Sequence, residues 1–301
     1  MESTKAMTKI TIYEQVTNTI IKELEAGRVP WVQPWQSKGL NAALPENVIS
    51  KKTYSGINIL LLWGAVIERG YSSQQWLTYK QARGLGGTVR TGEKGTGIVY
   101  ASSFVPRNER KAAASDGRDE KSVMFLKKYY VFNVDQCDGL PVDLYNTVAL
   151  LPECEQVPIA ETLIQTTGAD FRIGGAKAYY NFEHDFIQVP PQPSFNDQIN
   201  YYRTCFHELG HWTGHTSRLK RDFTGRFKTT SYAREELVAE LTSAFVCATL
   251  GIQPTVRHAD YIGAWLEVLR KDSRAIFQAA SKASKAANYL LAYRTAALEA
   301  A

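Results

Sequence analysis

FHELGHWTGH, residues 206–215, is the stretch on which the rest of the chain turns. His207 and His211 stand four apart. On a helix that spacing carries both imidazoles to one face, where they can grip a single metal ion. Glu208 follows the first histidine, the position from which an H-E-x-x-H site draws a general base for a water acidified by the metal. Ile199, Tyr202, Cys205 or Phe206, Leu209 and Trp212 form an apolar stripe that predicts the helix, starting near Ser194 or Asn196. Gly214 suits its C-terminal stop.

Two histidines do not complete such a site. Catalytic zinc takes three protein ligands and a water, the third ligand being His, Glu or Asp. His215 lies four past His211, but one more turn aims its ring about 6 Å further up the axis. The longer pattern H-E-x-x-H-x-x-G-x-x-H finds its glycine in Gly214 and fails at its last ligand, where Ser217 stands. The remaining candidates sit on YAREELVAELTSAFVCATLGI (232–252), a second long helix. Glu236 and Glu240 are one turn apart on one face, and Glu235 points elsewhere. Glu240 lies among apolar residues, where a carboxylate is costly unless paired or metal-bound. Glu240 is therefore the preferred ligand. Glu236 is the alternative, or else a hydrogen-bond partner for a liganding histidine. The set suits Zn2+ or another divalent transition metal such as Mn2+. The chemistry that follows is peptide hydrolysis, with Glu208 taking a proton from the attacking water and returning it to the leaving amine. Tyr232 and Tyr261 are the candidate oxyanion donors. The strand DFIQVP (185–190) is placed to take an extended substrate as an added strand.

SRLKRDFTGRFKTTS (217–231) links the two helices, and 260–269 and 273–293 read as further helices. Upstream, IAETLIQTTG (159–168) reads as a helix ended by Gly168. FRIGG, KAYYNF and DFIQVP read as short antiparallel strands beneath the H-E-x-x-H helix. The proline-punctuated 141–158 is taken as a linker, which divides the chain into residues 1–140 and 159–301. In the first part, Thr11 and Glu14 make a capping box for a helix over 11–26 whose stripe is Ile12, Val16, Ile20 and Leu24. A buried helix follows within 51–69. Strands are expected at 97–105 and 123–134, and the polar 106–122 between them reads as a mobile hairpin loop. The fold class is α+β in two domains.

With 301 residues, 44% hydrophobic and 22% charged, the chain is that of an ordinary globular protein. Its four cysteines, Cys137, Cys154, Cys205 and Cys247, contain no C-x-x-C, and no window approaches 18 apolar residues. A disulfide framework and a membrane partner are not indicated, and a reducing cytoplasm is the default location. Charge is unevenly placed. Residues 1–135 carry 19 Lys+Arg against 12 Asp+Glu, or +7, whereas 136–301 carry 16 against 18, or −2. In the basic half Trp31, Trp35, Tyr54, Trp63, Trp76, Tyr79 and Tyr100 interleave with cations. That combination holds single-stranded DNA, since bases stack on aromatic faces while cations follow phosphates. Lys51, Lys52, Tyr79, Lys80, Arg83, Arg90 and Lys94 are the preferred contacts because they flank turns. Trp63, inside ILLLWGAV, belongs to the core.

Long blocks of the chain carry a resemblance. IYEQVTNTIIKELEAGRVPWVQPW, YSGINILLLW and WLTYKQARGLGGTVRTGEKG stand in the first half, and HELGHWTGHTSRL, YAREELVAEL and DYIGAWLEVLRKDSRAIFQAASKASKAANYLL in the second. Together they closely resemble the ArdC-type antirestriction proteins of conjugative plasmids. The resemblance implies an N-terminal domain that binds single-stranded DNA without strong sequence preference. It also implies a C-terminal zincin-like domain similar to Spartan-type proteases, which act on DNA-bound proteins. The implied role is protection of incoming plasmid DNA from host restriction. His207, Glu208, His211 and the segment EELVAE carry over. The competing reading is a non-catalytic single-strand-binding shield whose metal site is structural or vestigial.

Overall fold

The computed structural model describes residues 10–32, 43–145, 153–223, 229–253 and 261–300. Trp35 and residues 146–152 of the 141–158 linker lie outside them. The chain opens with α1 (Ile12–Glu25), and the Thr11–Glu14 capping box forms as its sequence requires. β1 (Glu46–Asn47) and α2 (Ile57–Arg69) follow, the latter stopped by Gly70 in the left-handed region at φ 69°. β2 (Gln75–Leu77), α3 (Tyr79–Gly84) and β3 (Thr88–Val89) lead to two long strands, β4 (Thr96–Phe104) and β5 (Val123–Asn133). Four of these strands make one sheet in the order β1-β2-β5-β4. β6 (Cys137–Asp138) pairs with β3.

Between β4 and β5 the structure has a helix, α4 (Arg107–Asp116), rather than a loop. Its residues include an Ala-Ala-Ala run and good helix formers, and Gly117 closes it at φ 60°. Arg118 then folds back on Glu109 at 2.5 Å. The segment lacks an apolar face, which is why hydrophobic periodicity passes over it.

The second half begins with α5 (Glu153–Thr166), which contains Pro158 and so starts inside the expected linker. β7 (Asp170–Ile173), β8 (Tyr179–Asn181) and β9 (Phe186–Val189) form a sheet ordered β7-β9-β8. This sheet is mixed and not antiparallel throughout, because β7 pairs parallel with β9. β9 is the most apolar of the three, with Phe186, Ile187 and Val189 buried, and burial on both faces takes it to the centre. Among the described residues the helices that follow are α6 (Gln198–Trp212), α7 (Thr230–Thr249), α8 (Ile262–Lys271) and α9 (Ala275–Ala300).

The main core runs through both halves. Trp31 meets Trp265 at a tilt with ring centroids 5.6 Å apart, Trp63 meets Phe245 at 5.8 Å, and α1 packs against α8. Thr17 donates to the Ser273 carbonyl at 2.7 Å, and Ser284 accepts from the Gly56 amide at 2.8 Å. A smaller core lies under α3 and β6, around Leu77, Ala82 and Val134. Trp31, Trp63 and Trp76 are fully buried, so these aromatics of the interleaved set are core. No helix among the described residues is long and apolar enough to cross a membrane.

Candidate metal centre

α6 and α7 pack side by side, and Gly210 lets them approach. A Cβ there would stand 3.1 Å from the Ala239 Cα and 3.2 Å from its carbonyl oxygen. The glycine inside H-E-L-G-H is thus the contact point of the two helices that supply the site. At that separation one face of α6 meets one face of α7, with His207, Glu208, Glu236 and Glu240 each under 5% exposed.

The carboxylate that both imidazoles share is Glu236. Its two oxygens lie 3.5 Å from Nε2 of His207 and 3.3 Å from Nε2 of His211. One ligand atom from each of these three residues falls within 4.8 Å of the others. Glu240, the sequence-preferred ligand, lies instead on the far side of His207, 3.3 Å from Nδ1. Of two glutamates on one helix face, the one a turn nearer the N-terminus of α7 reaches both Nε2 atoms. Glu235 does not point away from the site either. It stands 3.4 Å from Nδ1 of His211. Each imidazole therefore has a carboxylate at Nδ1 and presents Nε2 to the common point, the arrangement that fixes a liganding tautomer.

Arg221 holds Glu235. It donates from Nε at 3.1 Å and from a terminal nitrogen at 2.7 Å, and it also bonds Thr213 Oγ1 and the Gly210 carbonyl. Gly214 makes room for this residue. A Cβ there would meet the Phe223 ring at 2.3 Å and the Arg221 guanidinium at 2.8 Å. Helix α6 has already ended at Trp212, so Gly214 serves packing and is not the stop. His215 turns to Ser217, 2.8 Å from its hydroxyl, outside the three-residue cluster. Arg221 and Glu235 carry no periodic signal. Glu235 was open to the argument used for Glu240, a carboxylate on a helix that had to be buried.

Charge at the centre is strongly coupled. Burial pushes the His211 pKa down, but Glu236 and Glu235 outweigh it and raise it to about 10. His207 is raised in the same way, burial being outweighed by Glu236 and Glu240. Burial alone would raise Glu236, yet the two imidazoles hold it far below the usual carboxylate range. The carboxylates thus call for positive charge between the imidazoles, as protons or as a bound cation. Two imidazole nitrogens and a carboxylate oxygen on converging helices fit a divalent transition metal.

A cleft of about 300 Å³ opens beside this cluster. Glu208, Tyr179, Tyr180, Tyr232 and Tyr261 are among its lining residues. The Tyr261 hydroxyl donates to that of Tyr232 at 3.4 Å. β9 is paired on both edges, so DFIQVP has no free edge to offer. The strand at the cleft is β8. The turn after β8 is tied to the end of α6, since Arg218 bonds both oxygens of Asp185 and lies 3.9 Å over the Trp212 ring.

In the first half, the Lys51–Lys52 turn sits beside α3, joined through Asn47 and Gln81 at 3.1 Å. Tyr79, Lys80 and Arg83 are exposed on α3, and Lys94 is exposed on the turn before β4. Lys51 pairs with Glu46 at 3.8 Å. Arg90 is engaged internally, by Glu93 at 3.0 Å, Asp138 at 3.5 Å and the Asp135 carbonyl.

Comparison with known proteins finds two family matches, one in each half of the chain. Residues 158–282 match a family of zincin-like metallopeptidases, and residues 10–132 match the N-terminal domain of the anti-restriction factor ArdC. An uncharacterized protein, y4eC of Sinorhizobium fredii (strain NBRC 101917 / NGR234), is 41% identical over 94% of this chain and 92% of its own length. Two Escherichia coli proteins named DNA primase TraC are 37% and 36% identical over most of this chain, which spans only 20% and 28% of their lengths. Crystal structures of the antirestriction ArdC protein from the R388 plasmid superpose with TM-scores of 0.79 for the metal-free form and 0.77 for the Mn(II)-bound form. They are 39% and 38% identical, covering 94% of this chain and 98% of theirs.

Proposed function

Because the chain belongs to the ArdC family of antirestriction proteins, we propose that it is a metal-dependent peptidase joined to a half that binds single-stranded DNA. In this reading it protects plasmid DNA entering a recipient cell during conjugation from host restriction. Its location is the cytoplasm, and its second partner is a protein substrate, bound to the DNA or near it. The observation that carries the peptidase reading is Glu208, a buried carboxylate on the cleft wall beside a His-His-Glu cluster. A structural metal site has no use for a base at that position.

His207, His211 and Glu236 would hold the metal, Zn2+ or Mn2+. Glu240 and Glu235 would orient the two imidazoles through Nδ1. The chemistry that a divalent cation supplies on such ligands is polarisation of a carbonyl and acidification of a water. Glu208 accepts the proton of the attacking water and returns it to the leaving amine. Tyr232 and Tyr261, whose hydroxyls are joined at 3.4 Å on the cleft wall, are the candidate oxyanion donors. The free edge of β8 takes an extended substrate as an added strand.

The test is cleavage of an unfolded protein probe such as β-casein, and of the chain itself. Each is incubated with Mn2+ or Zn2+, with and without single-stranded DNA. Wild type should cut in a metal-dependent manner. Glu208→Ala should keep metal and DNA binding and lose cleavage. Absence of cleavage in every arm would favour the non-catalytic shield.

A further inference from the structure

Strands β4 and β5 pair over their whole shared length, and most of their outer rungs are open to solvent. Residues directly opposite one another project to the same face. Register then places Tyr129 beside Ile98, Tyr100 beside Lys127, Phe125 beside Ser102, and Phe104 beside Val123, all on one face. Tyr100 is 62% exposed, Phe104 51% and Tyr129 47%. Phe104 and Phe125 contact edge to face at 5.6 Å, and the Lys127 ammonium stands 5.5 Å over Phe125. Single exposed aromatics are ordinary, but a row of four with a lysine among them is not.

We propose that this face of the β4–β5 ribbon is a base-stacking platform for single-stranded DNA, resting on the single-strand-binding reading given above. Alternate rungs are about 7 Å apart, so the row is about 20 Å long. Roughly six bases stacked at about 3.4 Å cover that length. Aromatic faces accept any base, which gives binding without sequence preference. Charge at the far end of the ribbon selects a polyanion over an apolar protein partner. Arg118 takes up both Glu109 and Asp116, at 2.5 and 3.5 Å. Among the described residues Arg107, Arg110, Lys111 and Lys127 make no ion pair and outnumber Asp119 and Glu120 in the same segment, which leaves this end net positive for phosphates. None of the four aromatics is among the turn-flanking residues that sequence reasoning preferred, because their shared face appears only with the strand register.

The experiment compares binding of the full chain to a labelled 20-nucleotide thymidine oligomer and to an abasic oligomer of equal length. Wild type should bind the base-bearing strand at least roughly ten-fold more tightly, and Tyr100→Ala/Tyr129→Ala should erase the difference, as stacking losses of this kind do. Tyr100→Phe/Tyr129→Phe should retain it, which separates stacking from misfolding. If the alanine variant, with an unchanged melting curve, discriminates as wild type does, the platform is wrong while single-strand binding stands. If wild type binds neither oligomer, both fall. If the alanine substitutions instead convert a dimer to a monomer in sedimentation and leave binding unchanged, the face is a self-contact and the inference is overturned.

Discussion

Glu236 and Glu240 differ by one helical turn, and in the proposed centre that turn separates the residue that would hold the metal from one that would orient a liganding histidine. Glu236→Gln should abolish metal binding measured by competition with a chelator. Glu240→Gln and Glu235→Gln should each weaken it by roughly 10- to 100-fold, the usual loss for partners of liganding histidines. Equal loss in all three variants would contradict the assignment. Arg221→Met should leave the Glu235 carboxylate buried with His211 as its main partner, costing about 3–5 kcal/mol in urea unfolding. His207, Glu208 and His211 were legible because their spacing is a property of one helix. The third ligand was not, because two glutamates on one face are equivalent until the crossing of α6 and α7 is known. The same crossing brings Glu235 onto His211.

At the scale of elements, local signals read well and pairings read poorly. The Thr11 capping box, the helices around both motifs and the β4 and β5 strands follow from residues close in sequence. The central place of β9 depends on which strand is buried on both faces, and α4 depends on helix propensity without an apolar stripe. The α6–α7 contact is the element on which the site depends most. Gly210→Ala should force the helices apart by a few tenths of an ångström, destabilise by about 1–3 kcal/mol and weaken metal binding; calorimetry with and without metal checks both. The tether between the β8–β9 turn and the end of α6 should be pH-sensitive. Burial would raise the Asp185 pKa, but Arg218 and Tyr180 outweigh it and hold it below its usual value. Its stabilisation is present above the unfolded pKa and is lost as pH falls through the lower folded one. Asp185→Asn should therefore flatten the acid end of the curve of unfolding midpoint against pH, and an unchanged slope below pH 4 would count against the tether.

At the scale of the whole molecule, one core joins the two halves to which the two proposed functions belong. Trp31 and Trp63 belong to the half that would hold DNA, and each packs on the half that would cut protein. Composition showed two halves of different charge, yet nothing in it showed that they share a core, since packing between distant segments leaves no local pattern. Trp31→Ala should lower the melting temperature in a single transition, read by both near-ultraviolet dichroism and metal release. Two separate transitions would mean that the halves fold independently. In the proposed function the joining has a sense of its own, since a peptidase built into a single-strand-binding protein would act where the DNA is. The most direct test of the account is conjugation of a plasmid into a restricting recipient that produces either wild type or Glu208→Ala. The account predicts that wild type raises transfer, whereas Glu208→Ala, still folded and still binding metal and single-stranded DNA, does not. Undiminished protection by Glu208→Ala would contradict it.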